Sequence, residues 1–438
     1  DIARGGVPKV DTFKEILRLL FLLKYNFFAI YFEDLYPWKS YPSIGLKRGK
    51  LTLDEWNEIL EYGGKLGIDV FPSLELAGHM ENILTLPEFR KYSEWHRPRE
   101  GCLDVSDEEA RKFAYTLLKE ALDTSPSKYI HIGGDETWAM GRGKSLDKTL
   151  TYKGPDLYLM HHKNMINMVK ERNKKPILWG DMLTGMYLRR KEGELWSKLV
   201  EDRIWSEVII ANWDYSPSPK EYFVRKIRLF SDRGYVQIAC PGYSNWNKYY
   251  PDFDTALKNI SNFLGAAREE KIFGFMATAW GDDGEECLFS HLYPLILATM
   301  EIAEGNGRWE EKWITISGEN EKILEFRKDV GKPEVSNYIK KVLFNPVQEI
   351  KDYPIYNIWR KILEKYRDTM LPEPLKFIYN CIKVGIEKVD GKVNVSDYIA
   401  LSNQYTYLWL KERKHNGLER IVARFWSAAS QLDLIKKL

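Results

Sequence analysis

Asp135 and Glu136 are adjacent carboxylates at the end of HIGGDE, residues 131–136. Two acids held close together do not both ionise easily, so one keeps its proton near neutral pH and serves as a general acid. That is the requirement for protonating a glycosidic oxygen. Neighbouring side chains of a regular strand point to opposite faces, so both acids enter one site only if the pleat breaks there. Gly133 and Gly134 permit that distortion. A bare Asp-Glu dipeptide after a strand is otherwise an ordinary surface pair, and the His-x-Gly-Gly prefix is what sets this one apart.

The elements that must position the pair are short apolar runs alternating with amphipathic helical stretches. The runs are NFFAIYFED (26–34), GIDVFPSLEL (67–76), YIHIGGDE (129–136), PILWGD (176–181), EVIIANWD (207–214), YVQIACPG (235–242) and FGFMATAWGD (273–282). Strands alternating with helices imply parallel βαβ units. Each run carries Asp, Glu, Trp, Gly or Pro towards its carboxyl end, the layout of an α/β fold of the (β/α)8 barrel type with its site at that face. The first clear element is a helix from about Asp11 to Tyr25, so the first strand is expected mostly upstream of or at residue 1, with Asp1 to Arg4 as its tail. A doubly wound sheet is the competing fold, but no GxGxxG or GxxxxGK[ST] opens a helix here. After about residue 310 only helix-length segments follow, which divides the chain into a catalytic barrel, residues 1–309, and an α-helical C-terminal domain, residues 310–438.

On HIGGDE the chain resembles glycoside hydrolase family 20, the β-N-acetylhexosaminidases, whose His-x-Gly-Gly-Asp-Glu hallmark it matches without departure. The likeness spans roughly residues 1–305. The stretch LYPWKSYPSIGLKRGKLTLDEW (35–56) is similar to the bacterial exo-β-N-acetylglucosaminidase subgroup with a helical C-terminal domain. The resemblance implies a retaining exo-enzyme in which the sugar's own 2-acetamido oxygen attacks the anomeric carbon and forms an oxazolinium intermediate.

By the same resemblance Asp135 orients the acetamido N–H, and Glu136 protonates the leaving group and then activates water. Tyr243 in PGYSNW hydrogen-bonds the acetamido carbonyl. Asp34 in YFED aligns with an acidic residue after the family's second strand and is expected in the substrate site, His79 in SLELAGHMEN supports the acids, and Trp179, Trp213 and Trp280 wall the pocket. Asn245 stands where the family commonly has Asp, and Asp282 where it has Glu, both against sugar hydroxyls; Asp283, Glu285 and Glu286 crowd the same loop. The family's substrate-binding Arg lies several residues ahead of Asp1, so Arg4 does not inherit its role. Several residues keep a second reading. Glu33 caps or pairs locally, Tyr36 and Trp38 either border the aglycone or pack a loop, and any single tryptophan also suits a core.

Composition narrows the partners. Lys and Arg number 65 against 63 acids, a net charge of +2 that leaves no electrostatic footprint for nucleic acid or an anionic membrane. A glycan with a terminal N-acetylhexosamine is the expected partner, GlcNAc before GalNAc, with a homodimer as the assembly considered. The four cysteines are scattered, which favours a reducing, cytoplasmic setting. No run of eighteen apolar residues suggests a membrane span. Seven histidines without HExxH predict no metal and no cofactor. GxSxG is absent, which leaves acyl chemistry without a candidate. The competing functions are a catalytically impaired carbohydrate-binding protein on the same barrel, and a transferase or disaccharide-releasing enzyme.

Overall fold

The computed structural model describes residues 1–97, 101–185, 188–282, 284, 286–346 and 355–435, with side chains as far as residue 432. Seven parallel strands pair in chain order as one sheet: β1 (Phe27–Tyr31), β2 (Asp69–Ser73), β3 (Tyr129–His131), β4 (Lys175–Trp179), β5 (Ile209–Trp213), β6 (Gln237–Cys240) and β7 (Gly274–Phe275). Each of the seven expected runs contains one of them. Register sets Tyr31 beside Ser73, Ser73 beside His131, and His131 beside Ile177, so the carboxyl ends of β1 to β4 lie level.

Helices follow the strands on the outside. The first, Val10–Leu22, precedes β1 and buries Phe13, Ile16, Leu17 and Leu20 at helical spacing. The helix Leu53–Lys65 opens on a capping box, in which Thr52 and Glu55 accept each other's backbone N–H. Inside the sheet Phe71, Ile177, Trp179, Ile209, Ala211, Ile238 and Cys240 form one apolar cluster. It is the filled interior that a (β/α)8 barrel requires.

Between β7 and β1 the position of the remaining strand is held by Asp1 and Ile2. The Ile2 amide donates to the Tyr31 carbonyl at 3.2 Å, and the Asp1 amino group donates to the Ala279 carbonyl at 3.0 Å. Further down the same interval lies an apolar cavity lined by Phe13, Leu20, Phe27, Ala29, Phe275 and Ile296.

Among the described residues every element beyond Tyr293–Glu304 is helical, ending in Glu373–Val389, Val395–Glu412 and Leu418–Ile435. Their apolar faces join the helices of the second half of the barrel: Phe223, Ile260 and Phe263 share a cluster with Leu324, Ile378 and Tyr405. Buried Arg413 donates to the Cys287 carbonyl at 2.6 Å, and buried Glu286 pairs with Lys340 at 2.8 Å and with Arg424. Among the described residues no helix is long and apolar enough to cross a membrane. All four cysteines are buried and outside any disulfide.

Candidate active site

β3 stops at His131 because the next residues leave extended geometry: Gly133, Gly134 and Glu136 have φ of 68°, 99° and 48°. A Cβ on Gly133 would strike the Glu75 carboxyl, and one on Gly134 would come within 2.7 Å of the Tyr158 hydroxyl. The broken pleat does what the sequence requires of it and turns both acids to one side. Nε2 of His79 lies 3.4 Å from Oδ2 of Asp135 and 3.5 Å from Oε2 of Glu136. His79 itself sits at φ 50°, after Gly78, whose Cα faces the Asp135 carbonyl so closely that a Cβ there would be 2.8 Å from it.

This arrangement separates the two carboxyls electrostatically. Burial pushes Asp135 up, but the charge and hydrogen bond of His79 outweigh it and hold the group below the ordinary aspartate value. Burial raises Glu136, and the negative charge of Asp135 adds to that against the opposing pull of His79. Burial lowers His79, yet Asp135, Glu75 and Glu33 together carry it well above the ordinary histidine value. The surroundings therefore favour the charged forms of Asp135 and His79 and the neutral form of Glu136, so two adjacent carboxyls are pushed apart in acidity. His131 stays neutral, driven down to about 3 by burial, and its Nδ1 accepts the Gly133 N–H at 3.0 Å.

Three indoles stand around the pair. Trp179 donates to Glu75 at 3.3 Å and packs 5.8 Å from Trp280, centroid to centroid. Trp213 donates to Asp181 at 3.2 Å, and Trp280 to the Tyr215 hydroxyl at 2.7 Å. Asn245 donates to the Trp280 carbonyl at 2.7 Å, while its own Oδ1 is buried without a hydrogen-bond partner. Asp282 is half-exposed, and Arg4 reaches it at 3.7 Å and Glu33 at 3.2 Å.

Two expected residues are placed elsewhere. Asp34 is fully buried on the outer side of β1, paired with Arg48 at 3.3 Å. Glu33 instead faces the site, accepting from Tyr31 at 3.2 Å and from Asn82 at 3.3 Å. The reason is strand parity: Tyr31 points inward to Trp280, Phe32 outward to Trp56, so Glu33 turns in and Asp34 out. Tyr243 likewise points outward, its hydroxyl against Thr299 and Tyr25, and burial pushes its pKa up to about 12. Tyr36 and Trp38 are packed, ring centroids 4.7 Å apart, with Tyr36 bonded to Thr124 at 2.6 Å. Asp283 and Glu285 lie outside the described residues.

The model of glycosyl hydrolase family 20, catalytic domain, matches residues 3–306. The chain belongs to glycosyl hydrolase family 20. Among relatives, hexosaminidase D of Homo sapiens is 25% identical over 297 residues, spanning 63% of this chain and 58% of that protein. This chain thus aligns with less than two thirds of that relative's length. The solved β-N-acetylhexosaminidase of Bacteroides fragilis NCTC 9343 aligns with a TM-score of 0.55 at 21% identity, covering 73% of this chain and 69% of that one. The chitobiase of Flavobacterium johnsoniae aligns at 0.53 and 17% identity, covering 98% of this chain and 77% of that one. Likeness of fold therefore extends through the helical C-terminal region.

In this family 20 chain, four residues near the pair were not picked out from the sequence. Glu75 is fully buried, raised well above the ordinary glutamate value by burial and by Asp135. Asp181 accepts the Glu136 amide at 3.0 Å, and burial pushes it up to about 7. Tyr215 stacks on Trp213 at 5.1 Å. Arg4 joins Glu33 and Asp282. Parity was the available signal: Glu75, Asp181 and Tyr215 each lie two residues beyond an inward-facing Ser73, Trp179 or Trp213. Glu33, His79 and Glu81 offer ligand atoms within 4.8 Å of one another, but Glu33 and His79 are already engaged by Arg4, Asn82, Asp135 and Glu136.

Proposed function

We propose that this chain is an exo-acting, retaining β-N-acetylhexosaminidase that releases terminal β-linked GlcNAc, and tolerates GalNAc, by substrate-assisted catalysis. The observation that carries the reading is the convergence of two neighbouring carboxyls on Nε2 of His79, 3.4 Å from Asp135 and 3.5 Å from Glu136, in surroundings that lower the first and raise the second. Glu136 gives its proton to the glycosidic oxygen as the C1–O bond breaks. The acetamido carbonyl oxygen closes on C1 from the other face, forming the oxazolinium. Ionised Asp135 accepts the acetamido N–H and offsets the positive charge that spreads over that ring. Glu136, now a carboxylate, takes a proton from water as its oxygen attacks C1, reopening the ring with the β configuration retained.

The indoles of Trp179, Trp213 and Trp280 suit the acetamido methyl and the sugar's apolar face, and their enclosure shields the acetamido group from bulk solvent. Tyr215, rather than Tyr243, supplies the aromatic hydroxyl on this side of the pocket. The test is hydrolysis of p-nitrophenyl N-acetyl-β-glucosaminide beside the plain β-glucoside, with a thiazoline analogue of the intermediate as inhibitor. Cleavage of the acetamido substrate alone, blocked by the thiazoline and lost in Glu136→Gln, is the expected result. Equal cleavage of both substrates, or of neither, would overturn the proposal.

A further inference from the structure

We propose that Asp181 is a positioning residue that fixes the proton-donating geometry of Glu136 relative to the wall of the acetamido pocket. The inference rests on the reading of Glu136 as the general acid. Asp181 follows β4 and is 5% exposed. Its two oxygens serve two different parts of the site. Oδ2 accepts the backbone N–H of Glu136 at 3.0 Å, and Oδ1 accepts the indole N–H of Trp213 at 3.2 Å.

Glu136 needs such support. Its φ of 48° lies in the left-handed region, which a residue with a Cβ occupies only when its surroundings hold it there. The two glycines before it supply the freedom to enter that conformation, but freedom is the opposite of placement. Each oxygen of the carboxyl accepts one of these N–H groups, so both donors are held at once. One side chain thereby ties the backbone that aims the acid to the ring that confines the acetamido group. A displacement of that backbone would lengthen the path from the Glu136 proton to the glycosidic oxygen, and proton transfer falls steeply with misplacement.

Asp181→Asn keeps the shape but offers one accepting oxygen in place of two, so one of the N–H donors must face an NH2 group. The enzyme and its variant are compared on phenyl and 2,4-dinitrophenyl N-acetyl-β-glucosaminides. The phenolate leaves slowly without a proton, whereas the dinitrophenolate leaves without help. The expected result is a loss on the order of 10- to 100-fold in kcat on the phenyl substrate, with the dinitrophenyl rate within about threefold of wild type and KM little changed. Equal loss on both substrates, or no loss on either, overturns the inference.

Trp213→Phe forms a second arm that does not depend on the folding of the first. It removes one donor and leaves the Asp181–Glu136 bond, so the phenyl-to-dinitrophenyl ratio should stay at the wild-type value. A ratio altered as in Asp181→Asn would place the effect in the pocket wall and overturn the inference. Wild-type protein inactive on both acetamido substrates would instead remove the reading of Glu136, and with it the ground for this role.

Discussion

Nε2 of His79 stands 3.4 Å from Oδ2 of Asp135, and the same nitrogen is 3.5 Å from Glu136. In the proposed mechanism turnover requires Asp135 ionised and Glu136 protonated. kcat/KM should therefore rise as Asp135 loses its proton, below the usual aspartate range, and fall as Glu136 loses its own, above the usual glutamate value. His79→Gln removes a cation facing both groups, and both carboxyl pKa values then rise. The two limbs of the pH profile should move together to higher pH, with kcat lower by roughly 10- to 100-fold. A pH–rate profile whose limbs stay in place contradicts this role of His79.

Glu33 and Asp34 are neighbours with opposite surroundings, one against Arg4, Tyr31 and Asn82, the other against Arg48. Glu33→Gln should lower kcat/KM by about tenfold or more, because Arg4, Tyr31 and Asn82 all donate to the carboxylate and the amide offers them one accepting oxygen. Asp34→Asn leaves the partly exposed Arg48 guanidinium without its carboxylate, at a stability loss of about 1 kcal/mol, and should spare kcat in the protein that remains folded. Steady-state kinetics read beside thermal melts separate the two. The reverse pattern would mean that the inward and outward faces of β1 are misassigned.

Gly133→Ala tests the break in the pleat. At φ 68° an added Cβ costs about 1–2 kcal/mol in backbone strain, and it also meets the Glu75 carboxyl that lies beside Asp135. Activity should fall at least as far as on the order of 100-fold while the protein stays folded at room temperature. An alanine variant with wild-type kcat would show that the two acids do not depend on this turn.

The tryptophans are expected to divide by exposure. Trp179 is 2% exposed within the barrel interior, so Trp179→Ala should cost about 3–5 kcal/mol and lower the melting temperature sharply. Trp280 is only partly buried, and Trp280→Ala should weaken thiazoline affinity by roughly tenfold or more with a smaller effect on stability. Inhibition constants and melting curves on the two variants check this pairing.

Much of this architecture was legible because parallel strands advertise themselves as short apolar runs, and all seven runs contain strands. HIGGDE was legible because two glycines before two acids have a geometric meaning. What was missed was the facing of residues just past the strands. In β6, Ile238 and Cys240 join the barrel interior while Ala239 joins the outer cluster, and carrying that alternation forward sends Tyr243 outward with Ala239. The same alternation brings in Glu33, Glu75, Asp181 and Tyr215. Motif alignment assigned Asp34 and Tyr243 by residue type, whereas the pleat assigns by position. Arg4 was set aside for standing too far along the chain from the family's arginine, and its contacts with Glu33 and Asp282 depend on distant loops that one sequence does not display.

The central claim is that the nucleophile comes from the substrate. It is tested most directly by kcat/KM on p-nitrophenyl β-glucosaminides whose N-acyl group carries none, one, two or three fluorines. Each fluorine withdraws electrons from the carbonyl oxygen that must attack C1. The account predicts a steep fall along the series, on the order of 100-fold or more from acetyl to trifluoroacetyl. A flat series would contradict it and would require a protein carboxylate to attack C1 instead.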